Sequence, residues 1–212
     1  MTDFYKIGDW HDSYIEDSEN MNVYLIADTH LNHDKEGGVM LTYCQRPPDF
    51  TNLVLNNWRR TVKPEDLVIH LGDVLIGKRE DRIADLPGTK ILIRGNHDRS
   101  QSNTWWMQKG GFQFACDSLM FRQMWLTHEP SAILPPGAIY NIHGHLHNIW
   151  DGFHKPERLE RDAELLSFDQ TKQLKNPWQR LFALEYTSYS PVEFNKFVSH
   201  PEKYQATGPR RK

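Results

Sequence analysis

The chain has 212 residues, 38% hydrophobic, 25% charged and 12% aromatic, with a net charge of −3 when histidines are neutral. That length suits one domain, or two small ones, with enough chain to bury a proper core. There is no global basic field to advertise a nucleic-acid partner, although a local patch on a neutral protein leaves one open. No apolar run approaches the ~20 residues of a membrane span, and no basic-then-apolar segment opens the chain. Cys44 and Cys116 form neither a C-x-x-C pattern nor a thiolate metal site, which fits a reduced, cytoplasmic protein. The outlier is histidine: there are 11, several beside Asp, Asn and Gly at the ends of apolar runs.

Residues 1–21 are acidic and irregular and read as an N-terminal extension. Val23 to Ala27 is a short apolar run ending at Asp28, as a buried strand would be. Phe50, Leu53, Val54, Trp58 and Val62 recur at helical spacing opposite Asn56, Asn57, Arg59 and Arg60, which predicts an amphipathic helix stopped by Pro64. Leu67 to Leu71 is a second strand, ending at Gly72-Asp73, and a short helix follows around Lys78 to Asp85. Lys90 to Ile93 is a third strand, ending at Gly95-Asn96-His97-Asp98; Trp105 and Trp106 beyond it read as packing on a helix, with an aromatic site wall as the other option. This strand–helix–strand rhythm predicts parallel pairing in the first half. From about Phe112 the rhythm changes. Phe112 to Phe114, Met120 to Thr127, Ile139 to His143 and Arg180 to Tyr186 read as strands with little helix between them. Residues 155–177 are a polar insertion in a domain spanning 22–200, and 201–212 is a tail ending in Arg210-Arg211-Lys212.

Polar clusters stand at five strand ends: Asp28-Thr29-His30, Gly72-Asp73, Gly95-Asn96-His97-Asp98, Thr127-His128 and Gly144-His145-Leu146-His147. Loops at the carboxyl ends of α/β strands converge on one crevice, so these clusters can be spatial neighbours. In D-x-H and H-x-H, residues i and i+2 of an extended segment project to one side and can reach one ion. Carboxylates, imidazoles and one amide, without thiolate, suit divalent Mn, Fe, Zn, Ni or Co. Asp28, His30, Asp73, Asn96, His128, His145 and His147 make seven candidate ligands. One tetrahedral ion takes about four. Seven suit two ions sharing a carboxylate, roughly 3.5–4 Å apart, a common clamp for phosphoryl displacement.

This ordered set resembles the calcineurin-like metallophosphoesterase superfamily, over about Asn22 to His147 and more weakly near the final strand. Asp28-Thr29-His30-Leu31-Asn32-His33, Arg46-Pro47 and His70-Leu71-Gly72-Asp73-Val74 resemble its small bacterial and phage members. The resemblance implies a layered α/β/β/α sandwich with the active site at the carboxyl ends of the strands. It assigns Asp28, His30 and His147 to one metal and Asn96, His128 and His145 to the other, with Asp73 bridging. His97 becomes the general acid or transition-state stabiliser, oriented by Asp98; His33, Arg46 and Arg94 become candidate substrate contacts. The expected reaction is hydrolysis of phosphate esters, leaning to small or nucleotide-like phosphodiesters, by metal-activated water.

Other readings stand beside these. His11, His154 and His200 read as surface or structural histidines, His70 as a core residue, and His143 as off the H-x-H face. The superfamily's DNA-repair nucleases carry a histidine three residues after the bridging Asp, where this chain has Ile76; its protein phosphatases carry G-D-x-x-D-R-G, and here Gly72-Asp73 runs on to Val74-Leu75-Ile76-Gly77-Lys78. Monoesterase or nuclease activity on the same site remains an alternative. So does a different class, a metal-binding scaffold acting through protein contacts, against which stands a complete ligand set.

Overall fold

The structure, a computed structural model, describes residues 21–42, 44–77, 81–148 and 178–204. The acidic residues 1–20, the polar segment 155–177, His11, His154 and the basic tail lie outside the described residues.

Two sheets make the frame. The first contains β1 (Val23–Ile26), β2 (Leu67–His70), β3 (Thr89–Ile93), β4 (Phe114–Cys116) and β9 (Val192–Glu193), in the order β4-β3-β2-β1-β9. Strands β1 to β4 are parallel, and β9 adds an antiparallel edge. The second sheet runs β5 (Ser118–Phe121), β6 (Met124–Thr127), β7 (Tyr140–His143), β8 (Gln179–Leu181), with only the β5–β6 pair antiparallel.

Period-two alternation explains the layering. In β1 and β2, Val23, Leu25, Leu67 and Ile69 face the second sheet, where they meet Leu126, Ile142 and Phe182. Their neighbours Ile26 and Val68 face the helical side with Phe50, Val54 and Trp58. Those three side chains, four residues apart, are the buried stripe of α2 (Phe50–Thr61). Each contributes about 1.5–3 kcal/mol by leaving water. Leu53, assigned by spacing to that stripe, is instead on its exposed margin, and Leu55 points inward. The helix stops where Val62 turns extended, ahead of Lys63-Pro64, because the residue before a proline disfavours helical geometry. The shorter helices α1 (Val39–Thr42), α3 (Asp81–Ala84) and α4 (Asn103–Gln108) add Met40, Ile83 and Trp106 to the same core. Helix α5 (Phe194–Ser199) contributes Phe194 and Phe197 to the core between the sheets.

The second half departs from the linear reading in two places. Met120 to Thr127 is a hairpin, not one strand: β5 and β6 turn at Arg122 and Gln123, both with positive φ (46° and 64°). Such turns usually advertise themselves with Asn-Gly or Asp-Gly, and this pair carries no such signal. Arg180 to Tyr186 is likewise divided, since β8 ends at Leu181 and Leu184–Tyr186 coils into a 3₁₀ turn. Both cysteines are free thiols. Among the described residues, no helix is long and apolar enough to cross a membrane.

Candidate metal centre

The parallel register aligns the strand ends, Ile26 opposite His70 and His70 opposite Leu92, so the loops that follow emerge side by side. Three loop hydrogen bonds extend this pairing: Asp28 N–H to Gly72 O (2.9 Å), His30 N–H to Asp73 O (3.0 Å) and Leu31 N–H to Val74 O (3.0 Å). Gly72 is required where they cross. Its φ is +99°, and a Cβ there would collide with the Gly95 backbone and the His128 ring. Gly144 is similar, because a Cβ would strike the Asp28 carboxylate. The loops of the second sheet join through Gly144 N–H to His128 O (3.0 Å).

Local geometry differs from the extended i, i+2 arrangement. Asp28, His30, Asp73, His145 and His147 all lie in the left-handed region, with φ of 51°, 41°, 56°, 70° and 49°. Each such residue costs of order 1–3 kcal/mol, and strain of this kind gathers at functional sites. Asp and His tolerate the region better than most side chains. The consequence is that D-x-H sends both side chains to one place, whereas H-x-H divides. Asp28, His30 and His147 form one group of ligand atoms; Asp73, His128 and His145 form another.

The donor chemistry of both groups fits cations. In the first, Asp28 Oδ1 and both ring nitrogens of His30 are buried without a hydrogen-bond partner, an arrangement that native proteins rarely leave uncompensated. Burial lifts the Asp28 carboxyl to about 6 and holds His30 well below the usual histidine range. In the second, His128 Nδ1 donates to Leu71 O (2.8 Å), which turns Nε2 toward Asn96 Oδ1 (3.0 Å), His145 Nδ1 (3.1 Å) and Asp73 Oδ2 (3.4 Å). In the neutral tautomer a lone pair would face the two oxygens, so a positive charge must sit there. Burial opposes charge on His128, yet the Asp73 and Asp28 carboxylates and Leu71 O outweigh it and raise the ring to about 9. The same surroundings that favour a cation on this ring favour a metal ion beside it. Burial works against ionised Asp73 too, and its contacts with His128, His30 and the His97 main chain overcome it, so the carboxyl stays well below its ordinary range.

His97 lies at the mouth, its side chain 46% exposed and Nε2 4.0 Å from Asp73 Oδ2. Its main-chain N–H donates to Asp73 Oδ1 (3.0 Å), and its ring meets His30 edge-on at 5.2 Å. Asp98 takes a different part from the one expected. Its carboxylate accepts the N–H groups of Asp73 (2.7 Å), Gly95 (2.8 Å) and Val74 (3.0 Å), so it staples the two ligand loops together and reaches His97 only through the chain. His70 is a core residue: Nδ1 accepts Gly72 N–H (3.1 Å) and Nε2 donates to Thr29 Oγ (2.9 Å), which passes its own proton to Val74 O (2.7 Å).

The candidate substrate contacts separate. His33 stands at the rim, half-buried, 5.6 Å from the His30 ring. Arg46 is not at the substrate: its buried guanidinium donates to Asp28 O (2.8 Å), Thr29 O (3.3 Å) and Glu185 Oε1 (2.8 Å). With all its donors facing inward, it cannot meet a phosphate in the crevice. Arg94 turns to Asp117 Oδ1 (2.7 Å) and Gln101 O (3.3 Å). His143 is buried with Nδ1 on Gly144 O (2.9 Å) and joins neither ligand group, and His200 is exposed after α5.

Glu185 escaped the sequence reading. Its Oε1 lies 3.2 Å from His147 Nδ1, which leaves Nε2 directed at Asp28 Oδ1, 3.9 Å away. A carboxylate behind a metal-ligating histidine fixes the tautomer and ring orientation. The only linear signal is an acidic residue inside the strand-like run Arg180 to Tyr186.

Fold and site together define a two-sheet α/β scaffold with paired Asp/His groups that could hold metal ions at the carboxyl ends of its strands. The profile of the calcineurin-like phosphoesterase family matches residues 21–209, and the chain belongs to that family, a class of metal-dependent phosphoesterases using divalent ions. An uncharacterized protein of Methanocaldococcus jannaschii is 31% identical over 137 residues, covering 59% of this chain and 69% of its own. The crystal structure of a protein of unknown function from Aquifex aeolicus shares the fold with a TM-score of 0.59 at 22% identity, covering 85% of this chain and 99% of the other.

Proposed function

We propose that the chain hydrolyses small or nucleotide-like phosphodiesters at a pair of divalent metal ions, with His97 assisting. The observation carrying this reading is the position of Asp73, whose Oδ2 stands 3.5 Å from His30 Nε2 and 3.4 Å from His128 Nε2. One carboxylate thus faces both ligand groups, as a bridge must. Asp28, His30 and His147 would hold one ion, and Asn96, His128 and His145 the other. When bound, the pair supplies an activated water as nucleophile and neutralises the phosphate oxygens. His97, anchored by its main chain and open on its ring face, is placed to protonate the leaving oxygen. The lean to diesters has a charge argument. Arg46 and Arg94 are both committed to carboxylates, so neither offers a guanidinium to match the second negative charge of a monoester.

The test is turnover of bis(p-nitrophenyl) phosphate and p-nitrophenyl phosphate by Mn²⁺-loaded protein, with metal analysis of wild type and Asp73→Asn. The expected result is faster diester turnover and, in the variant, loss of both bound metal and activity. Unchanged occupancy and activity in Asp73→Asn would overturn the bridge. Bound metal with no turnover of diester, monoester, cyclic nucleotide or single-stranded nucleic acid would favour the scaffold.

A further inference from the structure

Beside His97 is a cavity that none of the seven candidate ligands lines. Its volume is about 160 Å³, and Leu75, Ile76, His97, Gln101, Trp105 and Trp106 line it. Drug-sized ligands occupy pockets from ~300 Å³ upward, so this one has room for a single ring and not for a whole nucleotide. Among the described residues that line it, His97 is the only titratable one, and none is a carboxylate, lysine or arginine. Leu75 and Ile76 come from the segment just after Asp73, so the wall is tied to the bridging loop.

The aromatic side is held rigidly. Trp106 is buried, donates Nε1–H to Asp98 O (3.0 Å) and packs edge-on against Phe112 at 5.9 Å. Trp105 stands edge-to-face on Trp106, with centroids 5.0 Å apart and planes at 89°, and is itself only partly buried on the core. Ser102 fixes the start of their helix by accepting Trp105 N–H at 3.1 Å. A platform locked in this way loses little side-chain freedom when a ring settles on it. At the rim, the Gln101 side-chain amide has no hydrogen-bond partner among the described residues and can meet a polar ring edge.

We infer that this cavity is a subsite for one uncharged planar ring, phenyl- or pyrimidine-sized, carried by the leaving group of the ester. The leaving side is assigned because His97, the proposed proton donor to the leaving oxygen, both lines the cavity and approaches Asp73 and His30. Which bond breaks rests on the phosphoesterase reading above; the ring preference is a binding property and is measured without turnover.

The experiment titrates Mn²⁺-loaded protein calorimetrically with phenylphosphonate and methylphosphonate, which share the anion and resist hydrolysis. Stacking on an aromatic side chain is sensitive to alanine substitution, and the phenyl compound is expected to bind at least about tenfold tighter. Trp105→Phe retains most of that ratio. Trp105→Ala brings it close to one with metal content and methylphosphonate affinity unchanged, and Trp105→Leu does the same while preserving bulk against the core. Equal affinities in wild type, or a ratio that survives both Trp105→Ala and Trp105→Leu, would overturn the subsite. Ring preference without turnover of any ester overturns the hydrolase reading and leaves the subsite standing. Rapid diester hydrolysis without ring preference overturns the subsite alone.

Discussion

At the scale of single residues, the decisive contrast is between His97 and the histidines behind it. His30 and His128 are buried with Nε2 of each directed at the Asp73 carboxylate, whereas His97 is half exposed and held mainly through its backbone. Its ligand atom does come within 4.8 Å of those of His30 and Asp73, so proximity alone does not separate a ligand from an acid catalyst. Mutation does. His97→Ala is expected to keep full metal content and lose about 10²–10⁴-fold in rate, the size of general acid–base catalysis. The loss should be smaller for esters with a nitrophenolate leaving group, which needs a proton least. Equal losses across leaving groups would indicate phosphate stabilisation, and loss of metal would place His97 in the ligand shell.

Among the elements, the 3₁₀ turn Leu184–Tyr186 after β8 matters most for the site. It brings Glu185 to His147 and to Arg46, which in turn grips the backbone of Asp28 and Thr29. The carboxyl is held at about 2, because Arg46 and His147 outweigh the burial that would raise it. Glu185→Gln keeps an acceptor for the His147 proton but removes the negative charge that faces Arg46 and His147. It should weaken binding of the metal proposed for Asp28, His30 and His147 by about 10–100-fold, the usual effect of a partner behind a ligand. Glu185→Ala leaves a buried guanidinium unpaired and should also destabilise the metal-free protein by about 3–5 kcal/mol. Chelator competition reads the first effect and urea unfolding the second. A Glu185→Gln protein with wild-type metal affinity would show that Glu185 serves packing only.

For the molecule as a whole, burying so many neutral imidazoles sets its response to acid. Burial lowers His70 and His145 to about 3 and His143 to about 4, and holds His30 well below its ordinary range. Unfolded histidines take protons near pH 6.5. The stability these four provide is therefore complete above pH 6.5 and is lost as pH falls toward their folded values, by up to about 1.4 kcal/mol per pH unit for each. Asp28, pushed up to about 6 by burial, works the other way with one proton against four. His128, raised to about 9, contributes fully below pH 6.5 and loses its share only as pH rises toward 9. Urea unfolding of the chelated protein should show a midpoint falling steeply from pH 6.5 to 5, above the range of ordinary carboxylates. A flat midpoint across that interval would mean that these rings are protonated in the fold or reached by water.

The sequence by itself determined the strands that carry the site and which Asp, His and Asn residues are candidate ligands, because both are local properties. Short apolar runs must be buried, and metal-binding side chains at their ends are readable from residue type and order. Other features needed the tertiary structure. Glu185 and Arg46 are 139 residues apart, so nothing in either neighbourhood announces their pairing. The turn at Arg122-Gln123 and the left-handed backbone of the ligand loops use residues without a strong preference for those conformations, imposed by contacts from neighbouring strands. Asp98, next to a candidate catalytic histidine in sequence, bonds the backbone of another loop because parallel pairing sets Gly72-Asp73 beside it. In the sequence Trp105 reads as packing on a helix or as an aromatic site wall; only the approach of the Leu75–Ile76 segment makes it the wall of a cavity. Residue chemistry states what can bind, and long-range packing decides which atoms meet.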